Sequence, residues 1–155
     1  MKFRAHEPRV HESTTRLVDD RSGKRNKFAC PLILVVDDSE DNRELCATLL
    51  ERHGYEVVTA SDGEDAVAKA IALRPHVILM DIGMPTMDGW EATRLIREAT
   101  ETASAHIIML TAFADADSRR RSLAAGCDEF LAKPTPPDVL VARVGAAFER
   151  LRDAG

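Results

Sequence analysis

No stretch of this chain approaches the roughly 20 apolar residues that a membrane-crossing helix requires, so membrane insertion is not expected. The start, Met1-Lys2-Phe3-Arg4-Ala5-His6-Glu7, carries bases but no apolar segment behind them. That excludes the secretory pattern and makes the cytoplasm the expected compartment. Cysteine is scarce: Cys30, Cys46 and Cys127 are widely spaced, odd in number and without a CxxC pair. Such a set supports neither a disulfide framework nor a zinc site. Cys46, set among Leu45, Leu49 and Leu50 on a helix, reads as a small buried hydrophobe. No internal repeat or low-complexity tract is visible. Basic charge is short in most of the chain: residues 30–155 hold thirteen Lys/Arg against twenty-two Asp/Glu. A body of net charge −9 argues against direct binding of nucleic acid.

What remains is one domain and a tail. Residues 1–29 hold eight Lys/Arg against four Asp/Glu. They lack apolar periodicity, and Ser13-Thr14-Thr15 and Arg21 to Lys27 read as linker, so a basic, flexible tail is expected there. His6-Glu7 and His11-Glu12 resemble the acid-flanked histidine of a phosphodonor, but no helical-bundle pattern surrounds them. From Pro31 onward strand and helix patterns alternate strictly. The apolar run Leu32 to Val36 is followed by a helix from Ser39 to His53, with Leu45, Leu49 and Leu50 expected on one face, stopped by Gly54. Glu56 to Thr59 is a short strand, and Asp62-Gly63-Glu64 opens a helix that ends at Arg74-Pro75. His76 to Met80 is a strand, Met84 to Gly89 a loop, and a helix with Trp90, Ala92, Leu95 and Ile96 follows. A strand from His106 leads to a helix from Asp115 to Ala125, stopped by Gly126. A short strand ends at Ala132, and Pro136-Pro137 starts the last helix, with Leu140, Val144, Ala147, Phe148 and Leu151 at helical spacing. Nearly continuous apolar strands mark a parallel sheet covered on both faces. The expected fold is a doubly wound α/β domain over residues 30–152, with strand order 2-1-3-4-5 and five helices on both faces. Residues 153–155 are a short end.

The polar residues that close these strands carry the chemistry. The first run ends on Asp37-Asp38, the third on Asp81, the fourth on Thr111, and the fifth delivers Lys133-Pro134. The carboxyl edge of a parallel sheet is where ligands bind. Three carboxylates there repel one another, and a divalent cation relieves this. Hard oxygen ligands suit Mg²⁺, which keeps space for phosphate oxygens; Mn²⁺ is the alternative. With Lys133 the charge sums to zero, so an anionic phosphoryl group can enter. A carboxylate can accept such a group as an aspartyl phosphate. Asp81, alone on a central strand between the acidic pair and the Thr/Lys side, is the candidate acceptor. Asp37 and Asp38 are candidate metal ligands, and Thr111 and Lys133 candidate phosphoryl contacts.

On these residues the chain resembles the receiver domain of two-component response regulators, of the stand-alone, chemotaxis-regulator-like kind. The motifs are Val35-Val36-Asp37-Asp38, Met80-Asp81-Ile82-Gly83-Met84-Pro85, Met87-Asp88-Gly89, Leu110-Thr111-Ala112 and Phe130-Leu131-Ala132-Lys133-Pro134. The gaps of 43, 30 and 22 residues between Asp38, Asp81, Thr111 and Lys133 also fit. The resemblance implies a signalling phosphoacceptor rather than an enzyme. Asp81 would take its phosphoryl group from a histidine kinase or histidine phosphotransfer protein. It implies Mg²⁺ held by Asp38, Asp81 and the Gly83 backbone carbonyl, with Asp37 helping through water. It implies a phosphate contact from the Ala112 N–H and a switch made of Thr111 and Phe130. That switch would alter the face of the fourth helix, fifth strand and fifth helix, where a downstream protein binds. It also suggests a cis peptide at Lys133-Pro134, a geometry almost confined to X–Pro bonds.

Other readings stay beside this one. The four residues after Leu151 leave no room for an output domain, so the chain is expected to act alone or as a phosphate sink. A receiver fragment of a hybrid kinase, with the tail as linker, is the alternative. An Asp-nucleophile phosphatase is remote, because Gly83 stands where a second acid would be. A degenerate scaffold is disfavoured by the complete set of five residues. Gly83 and Phe113 offer no way to orient an attacking water, which predicts a long-lived phosphorylated form. Arg119-Arg120-Arg121 reads as a docking patch or a solvated face. Trp90 reads as a packed surface aromatic, His76 and His106 as structural, and His53 as a helix-end residue suited to the dipole.

Overall fold

The computed structural model describes residues 31–154. The tail of residues 1–29, its histidines and Cys30 lie outside the described residues. The order is β1 (Leu32–Val36), α1 (Glu40–Arg52), β2 (Glu56–Ala60), α2 (Gly63–Leu73), β3 (Val77–Asp81), α3 (Gly89–Glu98), a 3₁₀ turn (Thr100–Thr102), β4 (His106–Thr111), α4 (Ala116–Ala125), β5 (Glu129–Ala132) and α5 (Pro137–Ala154). All strands pair in parallel in the order β2-β1-β3-β4-β5. That is the expected fold.

Local chemistry sets the boundaries. Ser39, Asp62, Asp88 and Asp115 each cap a helix by accepting a backbone N–H three residues on; such caps satisfy donors that the first turn leaves unpaired. The Asp115 carboxyl is held below its ordinary range chiefly by the backbone N–H of Ser118. Gly126 ends α4 at φ 112°, a left-handed conformation that glycine adopts without strain. The 3₁₀ turn was not legible in the sequence; the Thr102 hydroxyl, donating to the Ile96 carbonyl at 2.6 Å, ties it to the end of α3. The last helix runs to Ala154, two residues past the expected boundary.

Strand alternation builds two cores. Leu34, Val36, Ile78, Met80, Ile107 and Met109 pack with Ala66 and Ala70 of α2 and Ala92 and Ile96 of α3. Alternate residues Ile33, Val35, Val77, Leu79 and Ile108 are also buried, and lie on the opposite face. Leu140, Val144, Ala147 and Phe148 of α5 are buried as expected, and Phe148 stacks on Tyr55 at 5.1 Å. One expectation fails. Leu45 is 71% exposed while Leu50 is fully buried. Five helical positions separate them by roughly 140°, so the two cannot share one narrow face. Cys46 is half-buried, and burial pushes its thiol up to about 11. His53 caps α1, its Nδ1 donating to the Leu49 carbonyl at 3.0 Å. His76 Nδ1 accepts from the Leu32 N–H at 3.1 Å, and His106 lies 2.8 Å from Glu129; both are structural.

Candidate phosphoryl-transfer site

Register, rather than any loop, assembles the candidate site. Val36 pairs with Met80 across β1 and β3, which sets the next residues, Asp37 and Asp81, side by side. Thr111 pairs with Ala132, and the Lys133 N–H donates to the Thr111 carbonyl at 2.7 Å. Asp37, Asp81, Thr111 and Lys133 therefore share one edge of the sheet. Asp37 and Asp81 are each only 6% exposed, whereas Asp38 is exposed.

Lys133 Nζ lies 3.1 Å from Asp37 Oδ2 and 3.2 Å from Asp81 Oδ1. Asp37 is held further by the Ser39 N–H at 2.9 Å and Asn42 Nδ2 at 3.4 Å. Arg43 Nη1 donates to the Asp37 carbonyl at 2.9 Å. Sequence reasoning missed Ser39, Asn42 and Arg43. The first is a carboxylate's usual local partner, a backbone donor two residues on. Asp81 Oδ1 also accepts the Gly83 N–H at 3.3 Å. Burial raises the Asp81 carboxyl above its ordinary range, and the Asp37 charge adds to this; Lys133 and the Gly83 N–H oppose without cancelling it. For Lys133 burial works downward, but the carboxylates of Asp37 and Asp81 outweigh it and raise the ammonium.

One oxygen from each of Asp37, Asp38 and Asp81 lies within 4.8 Å of the others. An all-oxygen donor set of this spacing fits a hard divalent cation such as Mg²⁺. Space is available beside it, since a Cβ on Gly83 would meet nothing within 4 Å. Gly89 is the reverse case. A Cβ there would run into the Asp81 carbonyl and reach within 2.8 Å of Ile82 Cα, so only glycine lets α3 start this close to the acceptor strand.

The other predicted residues fall around the same edge. Thr111 is buried, and its hydroxyl is taken up by Phe113, accepting the N–H at 2.9 Å and donating to the carbonyl at 3.3 Å. Ala112 is exposed beside it, and the Phe113 ring is 74% exposed. Phe130 is partly buried against the core. The Lys133-Pro134 bond is cis, as expected. A cavity of about 330 Å³ opens at the opposite edge, between Arg97, His106, Asp128 and Arg150. It holds none of the predicted residues, and Arg97 there is spent on Ala103, Ala105, Gly126 and Asp128.

Comparison with known proteins agrees with this fold. The family model described as "Response regulator receiver domain" matches residues 33–145. The chain is similar to the alkaline phosphatase synthesis transcriptional regulatory protein PhoP of Bacillus subtilis, at 40% identity over 118 residues, covering 76% of this chain and 48% of that protein. It is similar to Protein PilG of Pseudomonas aeruginosa, at 34% identity over 114 residues, covering 74% of this chain and 84% of that protein. The chain spans about half the length of most curated relatives it matches. Among solved structures, chemotaxis protein CheY4 of Vibrio cholerae superposes with a TM-score of 0.73 at 34% identity, over 76% of this chain and 98% of that one. The receiver domain of a sensor histidine kinase from Pseudomonas aeruginosa, with a magnesium ion coordinated in its active-site cleft, gives 0.70 at 36% identity, over 74% and 94%.

Proposed function

This chain belongs to the response regulator receiver family of two-component signalling, and on that premise we propose that residues 30–152 accept a phosphoryl group on Asp81. The donor is a phosphohistidine on a histidine kinase or histidine phosphotransfer protein. An Asp81 oxygen attacks phosphorus, the P–N bond breaks with its electron pair leaving on the histidine nitrogen, and an aspartyl phosphate forms. The observation that carries this is Lys133, whose ammonium lies between the buried carboxylates of Asp37 and Asp81. Phosphoryl transfer asks for positioned charge more than for covalent help.

Asp38, Asp81 and the Gly83 carbonyl would hold Mg²⁺ (or Mn²⁺), with Asp37 assisting through water. When bound, the cation supplies positive charge against the carboxylates and the phosphoryl oxygens. Lys133 meets one phosphoryl oxygen and the Ala112 N–H another. Asp37, pinned by Ser39, Asn42 and Arg43, keeps Lys133 in place. Thr111 exchanges its bonds with Phe113 for one to the phosphoryl group, and Phe130 turns into the space it vacates. The added charge thus biases a two-state element. The face of α4, β5 and α5 then signals to a partner protein. A place in a longer chain as the receiver of a hybrid kinase is the second reading, supported by the likeness to a sensor kinase's receiver domain.

The test is incubation with acetyl phosphate and Mg²⁺, followed by intact mass. A gain of one phosphoryl group that a chelator abolishes is expected. No gain would leave a scaffold role, and turnover of small phosphate esters would point to a phosphatase.

A further inference from the structure

Helix α4 is weakly rooted in the core. Of its ten residues only Ser122 is buried, and Leu123 is 53% exposed. Its anchorage is polar and aromatic instead. The Ser122 hydroxyl accepts a hydrogen bond from Trp90 Nε1 on α3 at 2.9 Å. The Arg121 guanidinium lies 3.8 Å from the centroid of the Trp90 ring. The Arg119 guanidinium lies 5.4 Å from the centroid of the Phe130 ring on β5. Both are within the range of cation–π attraction. Arg120, between them, pairs with Asp117 and touches neither ring. Two positions apart on a helix is roughly 200° of rotation, so Arg119 and Arg121 reach to opposite sides of α4.

We propose that Arg119 and Arg121 are positioning residues that brace α4 on both flanks, and that phosphorylation of Asp81 releases only the Arg119 arm. This rests on the phosphoacceptor reading. The Arg121 arm ends on Trp90, which is held by its bond to Ser122 and is neither of the two switch residues, Thr111 and Phe130. The Arg119 arm ends on Phe130, the ring that turns inward. A contact made in one arrangement only stabilises that arrangement alone, and its removal shifts the population toward the other.

The experiment compares full-length wild type with Arg119→Gln, Arg119→Lys, Arg121→Gln and Arg120→Gln. It follows the rate of phosphorylation by acetyl phosphate with Mg²⁺, and hydrogen exchange across residues 116–125 with and without the phosphodonor. Arg119→Gln is expected to phosphorylate roughly two- to fivefold faster, the factor that one exposed arginine–ring contact represents. Its α4 amides should exchange faster before phosphorylation and match wild type after it. Arg119→Lys should fall between. Arg121→Gln should speed α4 exchange in both states alike, and Arg120→Gln should change neither readout. The proposal is overturned if Arg119→Gln is indistinguishable from Arg120→Gln, or if both arms respond alike to the phosphodonor. If wild type gains no phosphoryl group, the phosphoacceptor reading fails and the release step with it. Exchange in the untreated variants then decides the brace by itself.

Discussion

The Lys133 ammonium lies 3.2 Å from Asp81 Oδ1, across 52 residues of chain. Its second bond, to Asp37, makes it the sole cation in hydrogen-bond contact with both buried carboxylates among the described residues. Replacement by methionine should therefore act twice. The two carboxylates would face each other without compensation, which costs about 1–3 kcal/mol, the penalty for leaving buried polar groups unsatisfied, visible as a lower midpoint in urea. Phosphorylation should slow roughly 100-fold, as for other losses of positioned charge. Wild-type rates in Lys133→Met would remove it from the site.

Asp81 gives the opposite stability result. Its carboxyl is raised above the ordinary 3.8, chiefly by burial, so the folded chain binds that proton more tightly than the unfolded one. This contribution is full below the unfolded pKa and is lost as pH rises through the folded value. At pH 7 the ionised group is a net cost. Asp81→Asn should thus melt a few degrees higher than wild type at pH 7 without divalent cations. The gap should narrow toward pH 4, and also on adding Mg²⁺, which would stabilise wild type alone. Equal melting temperatures throughout would contradict this balance of burial and charge.

Gly89→Ala tests the register of α3 against the acceptor strand. The new methyl would meet backbone of Asp81 and Ile82, which cannot swing aside. A cost of about 2–3 kcal/mol is expected, in the range of overpacked sites, with phosphorylation impaired at temperatures where the variant stays folded. Gly83→Ala, with open space at its Cβ, is the control and should fold normally.

Burial pushes the Cys46 and Cys127 thiols up to about 11. At pH 8 about one molecule in a thousand would carry either thiolate. Alkylation mapped by peptide mass should be slow at both positions in the folded protein and fast in denaturant. Because these pKa values are raised, the associated stability is present below the unfolded value of 9.0 and fades as pH climbs toward 11. Rapid labelling at pH 8 would contradict the burial.

Much of the fold was legible because its strands are continuous apolar runs and its helices are punctuated by Ser39, Asp62, Asp88, Gly54 and Gly126. The site was legible because parallel register brings strand ends together whatever their separation in sequence. What escaped depends on side-chain direction. The exposure of Leu45 follows from its angle on α1. The grip of Asn42 and Arg43 on Asp37 follows from the first turn of that helix. The run Arg119-Arg120-Arg121 reads as one patch, yet helical rotation sends its members to Phe130, Asp117 and Trp90 separately. The Thr111 hydroxyl also could not be placed on Phe113 from sequence, since a strand-end threonine has several local partners.

The lifetime of the phosphorylated form follows from two residues. Gly83 has no side chain, and the exposed Phe113 ring has no group to orient water. After removal of phosphodonor, loss of the group should take far longer than seconds; decay within seconds would contradict this.

The most direct measurement maps the modified residue. Wild type and Asp81→Asn are treated in parallel with acetyl phosphate and Mg²⁺, and peptides are sequenced by tandem mass spectrometry. The account predicts a single phosphoryl group, on Asp81 in wild type and on no residue in Asp81→Asn. A group found on Asp37, Asp38 or any other residue, or an equal gain in both proteins, would contradict it.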